Sequence, residues 1–491
     1  MVVTPYITGT ESLGPMTRPH FSTPVFQLAA ISARERIVYA PLRRLAFTVN
    51  EAGAQAIEAI RFNRLDARVP DQFLERLEGL GLFEDLPDAP PPLPSDAGAY
   101  LPTKVTLFVT GRCNLRCTYC YANGGENHSM MPWQIARAAL DFVIENALTT
   151  GQKRVTVIFH GDGEPTLGWP LIERAIRYTE DRCECVGVSS SFEAGLNGIV
   201  SESHARWLAH KLSNITVSVD GPPDIQDKQR PLASDGQASS TLVERTLAIL
   251  DDAGAKYGIR CTITRLSAGR IPEVVEYLCG VSRARMLMIE PAFVAGRALA
   301  SGEPSLDPGV FIHGFLSARL IARRYGRRLL FSGARADQVT NRFCGASSGA
   351  FNVTEDGRIT ACYEVCSQKD HRISLFEIGG YVGPDRGFWV NEAKLSNTAR
   401  WAASNKPACQ SCFAKYHCAG DCPAKLAMNG DPCMIVDPAR CYLIREITRA
   451  QIFSLYGLGD VVEPSEEWRT PVSAVGSLVQ IQSAPAAGSE G

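Results

Sequence analysis

The apolar run Val105–Thr110 leads directly into Gly111-Arg112-Cys113-Asn114-Leu115-Arg116-Cys117-Thr118-Tyr119-Cys120. The run predicts a buried strand, and the three cysteines follow it on one tight loop. Thiolates spaced C-x3-C-x2-C can each bind one iron of a four-iron cluster, although most such clusters use four cysteines. The remaining iron is then open to a small molecule, by the same logic that separates catalytic from structural zinc sites. A zinc site is the alternative, and its nearest additional ligand would be His128.

Strand and helix patterns alternate from this loop to about residue 290, which predicts six βα units and a parallel sheet buried on both faces. The predicted strands are Val105–Thr110, Val155–His160, Val186–Ser191, Ile215–Asp220, Ile259–Thr264 and Met286–Glu290. Right-handed crossovers would curve six such units into an α/β fold, a partial (β/α)6 TIM-type barrel. The chemistry is then expected on the loops that follow the carboxyl ends of the strands.

The cysteine loop and its preceding strand resemble those of the radical S-adenosylmethionine (SAM) superfamily. The resemblance implies that SAM chelates the open iron and that one electron from the cluster cleaves SAM to a 5′-deoxyadenosyl radical. It also implies that Cys113, Cys117 and Cys120 bind this cluster and that Tyr119 lies beside the adenine.

Other strand ends carry further family-like motifs. Gly161-Asp162-Gly163-Glu164-Pro165 is similar to the Gly-Gly-Glu-Pro turn, with Asp162 interrupting the glycine pair. Leu196-Asn197-Gly198 resembles a Thr-Asn-Gly turn, and Ser218-Val219-Asp220-Gly221-Pro222 with Arg230 resembles a pattern of peptide-modifying members. The SAM-contact positions implied by the resemblance are Tyr119, Gly163, Glu164, Asn197, Ser218 and Arg230. The alternatives are an ordinary βα turn at residues 161–165 and a surface salt bridge at Arg230.

A second cysteine cluster has the spacing Cys344-x12-Gly357-x4-Cys362, Cys409-x2-Cys412-x5-Cys418-x3-Cys422 and then Cys441. This spacing resembles the SPASM domain, a C-terminal extension of radical SAM maturases that holds two auxiliary four-iron clusters. The resemblance implies three [4Fe-4S] clusters in all. It assigns Cys409, Cys412, Cys418 and Cys441 to an outer auxiliary cluster, and Cys344, Cys362 and Cys422 to an inner one.

The fourth ligand of the inner cluster is left open by the sequence. Cys366 is one candidate, and an open iron that binds the substrate is the other. Zinc is the alternative for the C-x2-C…C-x3-C part, Cys409 to Cys422, and Cys433 has no assigned role. The remaining thiols are predicted to be core residues: Cys183, Cys185, Cys261 and Cys279.

The composition shifts along the chain predict several domains. We expect an N-terminal arm at 1–25, a winged-helix-like domain at 26–89, a proline-rich linker at 90–100, the barrel at 101–335, the loop-rich SPASM domain at 340–445 and a C-terminal segment at 446–491 with a disordered end. The front domain resembles the precursor-recognition element of peptide maturases, in which a leader peptide adds a strand to a sheet edge. A DNA-binding winged helix and a plain capping subdomain are its alternatives.

The composition excludes several classes of protein. Of the 491 residues, 50 are Lys or Arg and 52 are Asp or Glu, which gives a formal net charge of −2 and no sign of a polybasic nucleic-acid or membrane binder. The sequence has no apolar run of about 18 residues and no secretory signal pattern, so we predict a cytoplasmic protein. In a reducing compartment, its 16 cysteines stay thiols unless a metal binds them.

These features predict a radical SAM/SPASM oxidoreductase that installs an oxidative crosslink or related modification on a ribosomally made precursor peptide. A flavodoxin or ferredoxin is the expected reductant, and the catalytic base is not identified. One alternative is an anaerobic sulfatase maturase, in which the cysteine equivalent to Cys362 is followed by an Asp rather than by Tyr363 and Glu364. The other is a non-enzymatic metal-binding regulator, which would leave the three-cysteine loop unexplained.

Overall fold

The computed structural model describes residues 20–32, 35–64, 69–85, 99–234, 238–300, 302, 305–461 and 463–464. Most of the predicted arm at 1–25, most of the predicted linker at 90–100 and the predicted disordered end lie outside these residues. No helix in the described ranges is long and apolar enough to cross a membrane.

An N-terminal unit combines a three-stranded antiparallel sheet with two helices. Its elements are β1 (Phe26–Ser32), β2 (Glu35–Ala40), β3 (Leu45–Asn50), α1 (Glu51–Arg61) and α2 (Asp71–Gly79). The side chain of Asn50 caps α1, since it accepts the N–H of Gly53 at 2.8 Å. The sequence patterns predict β2, β3 and both helices but not β1, because paired alanines have a low strand propensity.

Six parallel strands follow one another across the main sheet in sequence order. They are β4 (Lys104–Phe108), β5 (Arg154–His160), β6 (Ser189–Leu196), β7 (Asn214–Ser218), β8 (Tyr257–Ile263) and β9 (Met286–Pro291). The helices between them are α3 (Trp133–Thr150), α4 (Trp169–Val186), α5 (Glu202–Lys211), α6 (Pro223–Gln229), α7 (Ser240–Asp252) and α8 (Ile271–Val281). This βα alternation confirms the predicted partial (β/α)6 barrel.

The third barrel strand lies later in the chain than the sequence predicts. The prediction places it at Val186–Ser191, whereas α4 runs on to Val186 and β6 begins at Ser189. Gly187 ends α4 in the left-handed region at φ 71°, where its N–H donates back to the helix. The prediction is wrong here because Cys183 and Val186 extend the apolar face of the helix rather than start a strand.

Short strands from the C-terminal region extend the barrel sheet at both ends. They are β10 (Arg328–Leu330), β11 (Asn352–Val353), β12 (Arg358–Thr360), β13 (Glu377–Gly383) and β14 (Gly387–Val390). β10 pairs in parallel with β9, β11 pairs in parallel with β4, and β12 to β14 continue antiparallel. The region predicted to be loop-rich therefore supplies four strands, of which β11 and β12 are too short to show a period of two.

The remaining helices are α9 (Arg297–Ala300), α10 (Pro308–Arg324), α11 (Ile373–Phe376), α12 (Glu392–Ala399), α13 (Lys415–Cys418), α14 (Pro423–Leu426) and α15 (Pro438–Leu455). The helix α15 runs through the domain boundary expected at 445.

Both faces of the N-terminal sheet are covered. One face packs on α1 and α2 around Phe47 and Phe73. The other contributes Tyr39 to a cluster that contains Phe413 of the second cysteine region and Ile452 of α15. The N-terminal unit is therefore packed against the C-terminal region.

Candidate active site

The three-cysteine loop follows β4 and borders a cavity at the carboxyl ends of the barrel strands. The N–H groups of Arg116 and Thr118 fix the loop by donating at 2.9 Å to carbonyl groups of segment 229–231. Burial raises the pKa of the Cys117 thiol to about 12, which a bound metal would reverse because coordination deprotonates a thiol. The cavity has a volume of about 350 Å³, and all three thiols line it: Cys113, Cys117 and Cys120.

The six positions predicted to contact SAM line this same cavity. They come from the cysteine loop, from the turn after β5, and from the segments at and after the ends of β6 and β7. The barrel thus brings together Tyr119, Gly163, Glu164, Asn197, Ser218 and Arg230.

The turn after β5 lies directly against the cysteine loop. A Cβ on Gly163 would stand 2.1 Å from the carbonyl oxygen of Arg112, so only glycine fits there. The N–H of Glu164 donates to that same carbonyl at 2.8 Å. The carboxylate of Glu164 is buried and accepts the N–H of Asn197 at 2.7 Å, and burial raises the pKa of this carboxyl. These contacts assign the turn a role in shaping the cavity, which an ordinary βα turn would lack.

Tyr119 belongs to a buried polar network. Its hydroxyl donates to Asp220 at 2.6 Å and accepts from the guanidinium of Arg230 at 2.7 Å. The side chain of Gln229 also donates to Asp220, at 2.8 Å. Arg230 is 5% exposed, so the alternative of a surface salt bridge at this position is wrong. Its Nε has no hydrogen-bond partner among the described residues and is available to an anionic group.

Arg297 also holds the cysteine loop in place, and the sequence analysis did not identify it. Its guanidinium donates to the carbonyl oxygens of Cys117 at 2.8 Å and Gly124 at 3.2 Å. Its backbone N–H donates to the carbonyl oxygen of Cys120 at 2.9 Å. The preceding Gly296 has φ 53°, and a Cβ there would meet the carbonyl of Cys120 at 2.4 Å. The available signal was a glycine–arginine pair soon after the last barrel strand.

A second cavity of about 580 Å³ shares four charged or polar lining residues with the first. These residues are Arg260, Tyr363, Glu364 and Lys425. Arg260 and Glu364 form an ion pair at 3.8 Å, and Lys425 pairs at 3.7 Å with the buried Glu290. The sequence analysis did not identify Arg260, Glu290 or Lys425, because they come from distant parts of the chain.

The three cysteines predicted for the inner auxiliary cluster line this second cavity: Cys344, Cys362 and Cys422. Burial raises the pKa of Cys362, and negative charge on Glu364, Cys422 and Cys344 would raise it further. These electrostatic interactions are expected of thiols that lie near one another. Cys422 thus groups with distant cysteines of the chain, as the interleaved ligand assignment requires.

Cys366 makes a different contact. It is buried but does not border the second cavity, and its thiol donates to the carboxylate of Asp162. Burial raises the pKa of Asp162 to about 6. Asp162, which interrupts the glycine pair of the turn, thus contacts Cys366. The role of Cys366 as the fourth ligand of the inner cluster stays a prediction.

The four cysteines predicted for the outer cluster interact electrostatically with one another. Burial raises the pKa of Cys418, and Asp421 and the other three thiols raise it further. Asp421 has φ 65° and is held by Arg440 through contacts of 2.6 and 2.7 Å. This left-handed residue turns the chain between Cys418 and Cys422. The four cysteines predicted for the outer cluster are Cys409, Cys412, Cys418 and Cys441.

The donor sets suit iron–sulfur clusters, because each consists of cysteine thiols and thiolates hold the irons of such clusters. Within the described parts of the chain, no three Cys, His, Asp or Glu side chains converge as they would around one metal ion. His128, the additional ligand of the zinc alternative, is exposed and does not line the first cavity.

Comparison with protein families identifies residues 107–276 as a match to the Radical SAM superfamily. This match confirms the resemblance found in the cysteine loop. It covers β5 to β8 and most of the residues that line the first cavity.

Known proteins with similar sequences include a maturation protein and a sulfatase-maturating enzyme. The sporulation killing factor maturation protein SkfB of Bacillus subtilis is 25% identical over 290 residues, which cover 57% of this chain and 64% of SkfB. A cysteine-type anaerobic sulfatase-maturating enzyme of Clostridium perfringens is 26% identical over 170 residues, 34% of this chain and 45% of that protein. The chain thus spans less than two thirds of the length of these relatives.

A solved structure, native anSMEcpe with bound AdoMet, has a similar fold. Its TM-score is 0.53 at 17% identity, and the match covers 72% of this chain and 96% of that one. This likeness supports the barrel fold described above.

Proposed function

Because this chain contains a radical SAM domain, we propose that it is a radical SAM peptide maturase that cleaves SAM and modifies a ribosomally made precursor peptide. The observation that carries the proposal is the first cavity, which is bordered by three thiols and by all six SAM-contact positions. Its four lining residues shared with a second thiol-bordered cavity support a role for auxiliary clusters in the same reaction.

The residues of the first cavity divide the binding of SAM among them. Cys113, Cys117 and Cys120 would hold the cluster, which together with SAM supplies a 5′-deoxyadenosyl radical when both are bound. The backbone at Gly163 and the carboxylate of Glu164 suit the amine of SAM. The other polar groups of SAM would be contacted by Asn197, Ser218 and Arg230. Tyr119 would lie beside the adenine.

The second cysteine region would hold two auxiliary clusters, in a SPASM domain at 340–445. Cys409, Cys412, Cys418 and Cys441 would serve the outer one, and Cys344, Cys362 and Cys422 the inner one. The contact between Cys366 and Asp162 favours the alternative in which the inner cluster keeps an open iron. The three cysteines of the inner set line the second cavity, which a substrate group could enter.

The substrate and partners follow from the same proposal. SkfB is by its name a maturation protein, which supports a peptide substrate for this chain. The N-terminal unit, at 26–89, would recognise the precursor, since among the described residues both faces of its sheet are covered, which leaves the strand edges for an added strand. A flavodoxin or ferredoxin would supply electrons, in a reducing compartment such as the cytoplasm.

The second candidate is an anaerobic sulfatase maturase. The match to the Clostridium perfringens enzyme favours it. In this chain Tyr363 and Glu364 follow Cys362, and both border the two cavities. A carboxylate is thus available near the expected position of the catalytic base but one residue later.

Anaerobic reconstitution tests the proposal. We expect about twelve irons per chain for three four-iron clusters, and reductive cleavage of SAM to 5′-deoxyadenosine. The substitution Cys117→Ala should abolish this cleavage, because it removes one ligand of the SAM-binding cluster. Cys185→Ala should leave it intact, because Cys185 is exposed and the prediction that it is a core residue is wrong. Cleavage at the wild-type rate in Cys117→Ala would refute the assignment.

Co-expression with a short peptide gene from the neighbouring reading frames separates the two candidates. A peptide crosslink gives the loss of two hydrogens in the mass spectrum of the peptide. Conversion of a sulfatase peptide to formylglycine, with the precursor peptide unchanged, would favour the second candidate.

A further inference from the structure

Arg335 lies between β10 and β11 on the wall of the second cavity, together with the three inner cysteines. One guanidinium nitrogen donates to the carbonyl oxygen of Phe343 at 2.6 Å, and the guanidinium carbon lies 4.9 Å from the centre of the Phe343 ring. Phe343 immediately precedes Cys344. The arginine is therefore anchored to the backbone that carries an inner cysteine.

The other guanidinium nitrogens of Arg335 donate to no group among the described residues. Nε and the second terminal nitrogen are buried and have no hydrogen-bond partner among the described residues. A buried donor without a partner costs about 1–3 kcal/mol, so such groups call for an acceptor. By contrast, Arg440 is paired with Asp421 and Lys425 with Glu290.

Geometry links Arg335 to the inner cysteines. Cys344 directly follows Phe343, which accepts the hydrogen bond from Arg335, and it lines the same cavity. Burial lowers the pKa of this guanidinium, and negative charge on Cys418 and Cys344 would act against that effect.

We infer that Arg335 donates hydrogen bonds to the sulfurs of the inner auxiliary iron–sulfur cluster and raises its reduction potential. This inference rests on the inner auxiliary cluster of the proposed function. A positive charge and N–H donors favour the more negative, reduced state of a cluster and so raise its potential. Arg335 is thus a positioning and tuning residue rather than a catalytic one.

The test is a dithionite titration of the reconstituted protein followed by electron paramagnetic resonance. Arg335→Met removes the charge and the donors at similar length and should make reduction of the inner auxiliary cluster about tenfold less favourable, about 59 mV for a one-electron couple. Arg335→Lys keeps the charge and should give a smaller shift. The SAM-binding cluster should be unaffected in both variants.

Arg328→Met is the matched control, since Arg328 lines the same cavity but is exposed and paired with Asp337. Unchanged auxiliary potentials in fully loaded Arg335→Met would overturn the inference while leaving the proposed function intact. If Arg335→Met does not fold, Arg335→Lys decides, and potentials equal to wild type overturn the inference. A wild-type protein with only about four irons would refute the auxiliary clusters and the inference together.

Discussion

Gly163 has no space for a side chain, because its Cα faces the carbonyl group of Arg112 in the cysteine loop. We therefore expect Gly163→Ala to push the turn away from the loop and to lower the free energy of unfolding by about 1–3 kcal/mol. Iron bound at the cysteine loop and cleavage of SAM should fall as well. Thermal unfolding and iron analysis of the reconstituted variant measure both effects.

Gly280→Ala is the control, since a Cβ on that glycine of α8 meets nothing within 4 Å. An alanine in the helix should be neutral or stabilising by about 0.5–1 kcal/mol. Full iron loading and wild-type stability in Gly163→Ala would contradict the close packing described for the turn.

At the residue scale, the sequence predicted positions that directly follow barrel strands. Asn197 and Ser218 could be found because the carboxyl ends of parallel strands meet at one edge of the sheet. Arg297 could not, because the carbonyl oxygens that accept from its guanidinium lie 180 and 173 residues away in the chain. No local pattern encodes such contacts.

Among the elements, the cysteine loop depends on a clamp from the segment after β9. We expect Arg297→Met to speed the loss of iron to a chelator and to reduce SAM cleavage, because two donors to the loop carbonyls disappear. Hydrogen bonds from charged groups contribute about 1.5–3 kcal/mol each. The time course of iron release from the reconstituted protein measures the effect.

Arg206→Met provides a comparison, as Arg206 forms an exposed pair with Glu202 on α5. Exposed pairs contribute about 0–1 kcal/mol, so this variant should release iron like wild type. Equal release from both variants would show that Arg297 does not stabilise the loop.

The order of the elements was predicted better than their limits. The alternation of strands and helices predicts the barrel. However, β6 begins three residues after the start predicted at Val186, because Cys183 and Val186 still belong to the apolar face of α4. The four strands β11 to β14 were missed, since their pairing rather than their own sequence defines them: β11 pairs with β4, and each later strand pairs with the one before it.

At the scale of the whole molecule, the N-terminal unit packs against the second cysteine region. The hydroxyl of Tyr39 lies 2.7 Å from Nε2 of His417, next to Cys418, and both residues are buried. We expect Tyr39→Phe to lower the free energy of unfolding by about 1–3 kcal/mol, because His417 loses a buried partner. Hydrogen exchange should then speed up together in β2 and in α13.

Tyr100→Phe is the corresponding control, since its hydroxyl donates to Gly349 at 2.6 Å elsewhere in the molecule. It should lower stability without changing exchange in β2 or α13. If Tyr39→Phe raised exchange in β2 alone, the two regions would be in contact but not coupled.

The parallel pairing of β11 with β4 joins the strand before the three-cysteine loop to the chain that carries Cys344 and Cys362. Backbone hydrogen bonds therefore connect the first thiol group to the second. If both groups hold clusters, this pairing would keep the distance between them the same in every copy of the protein.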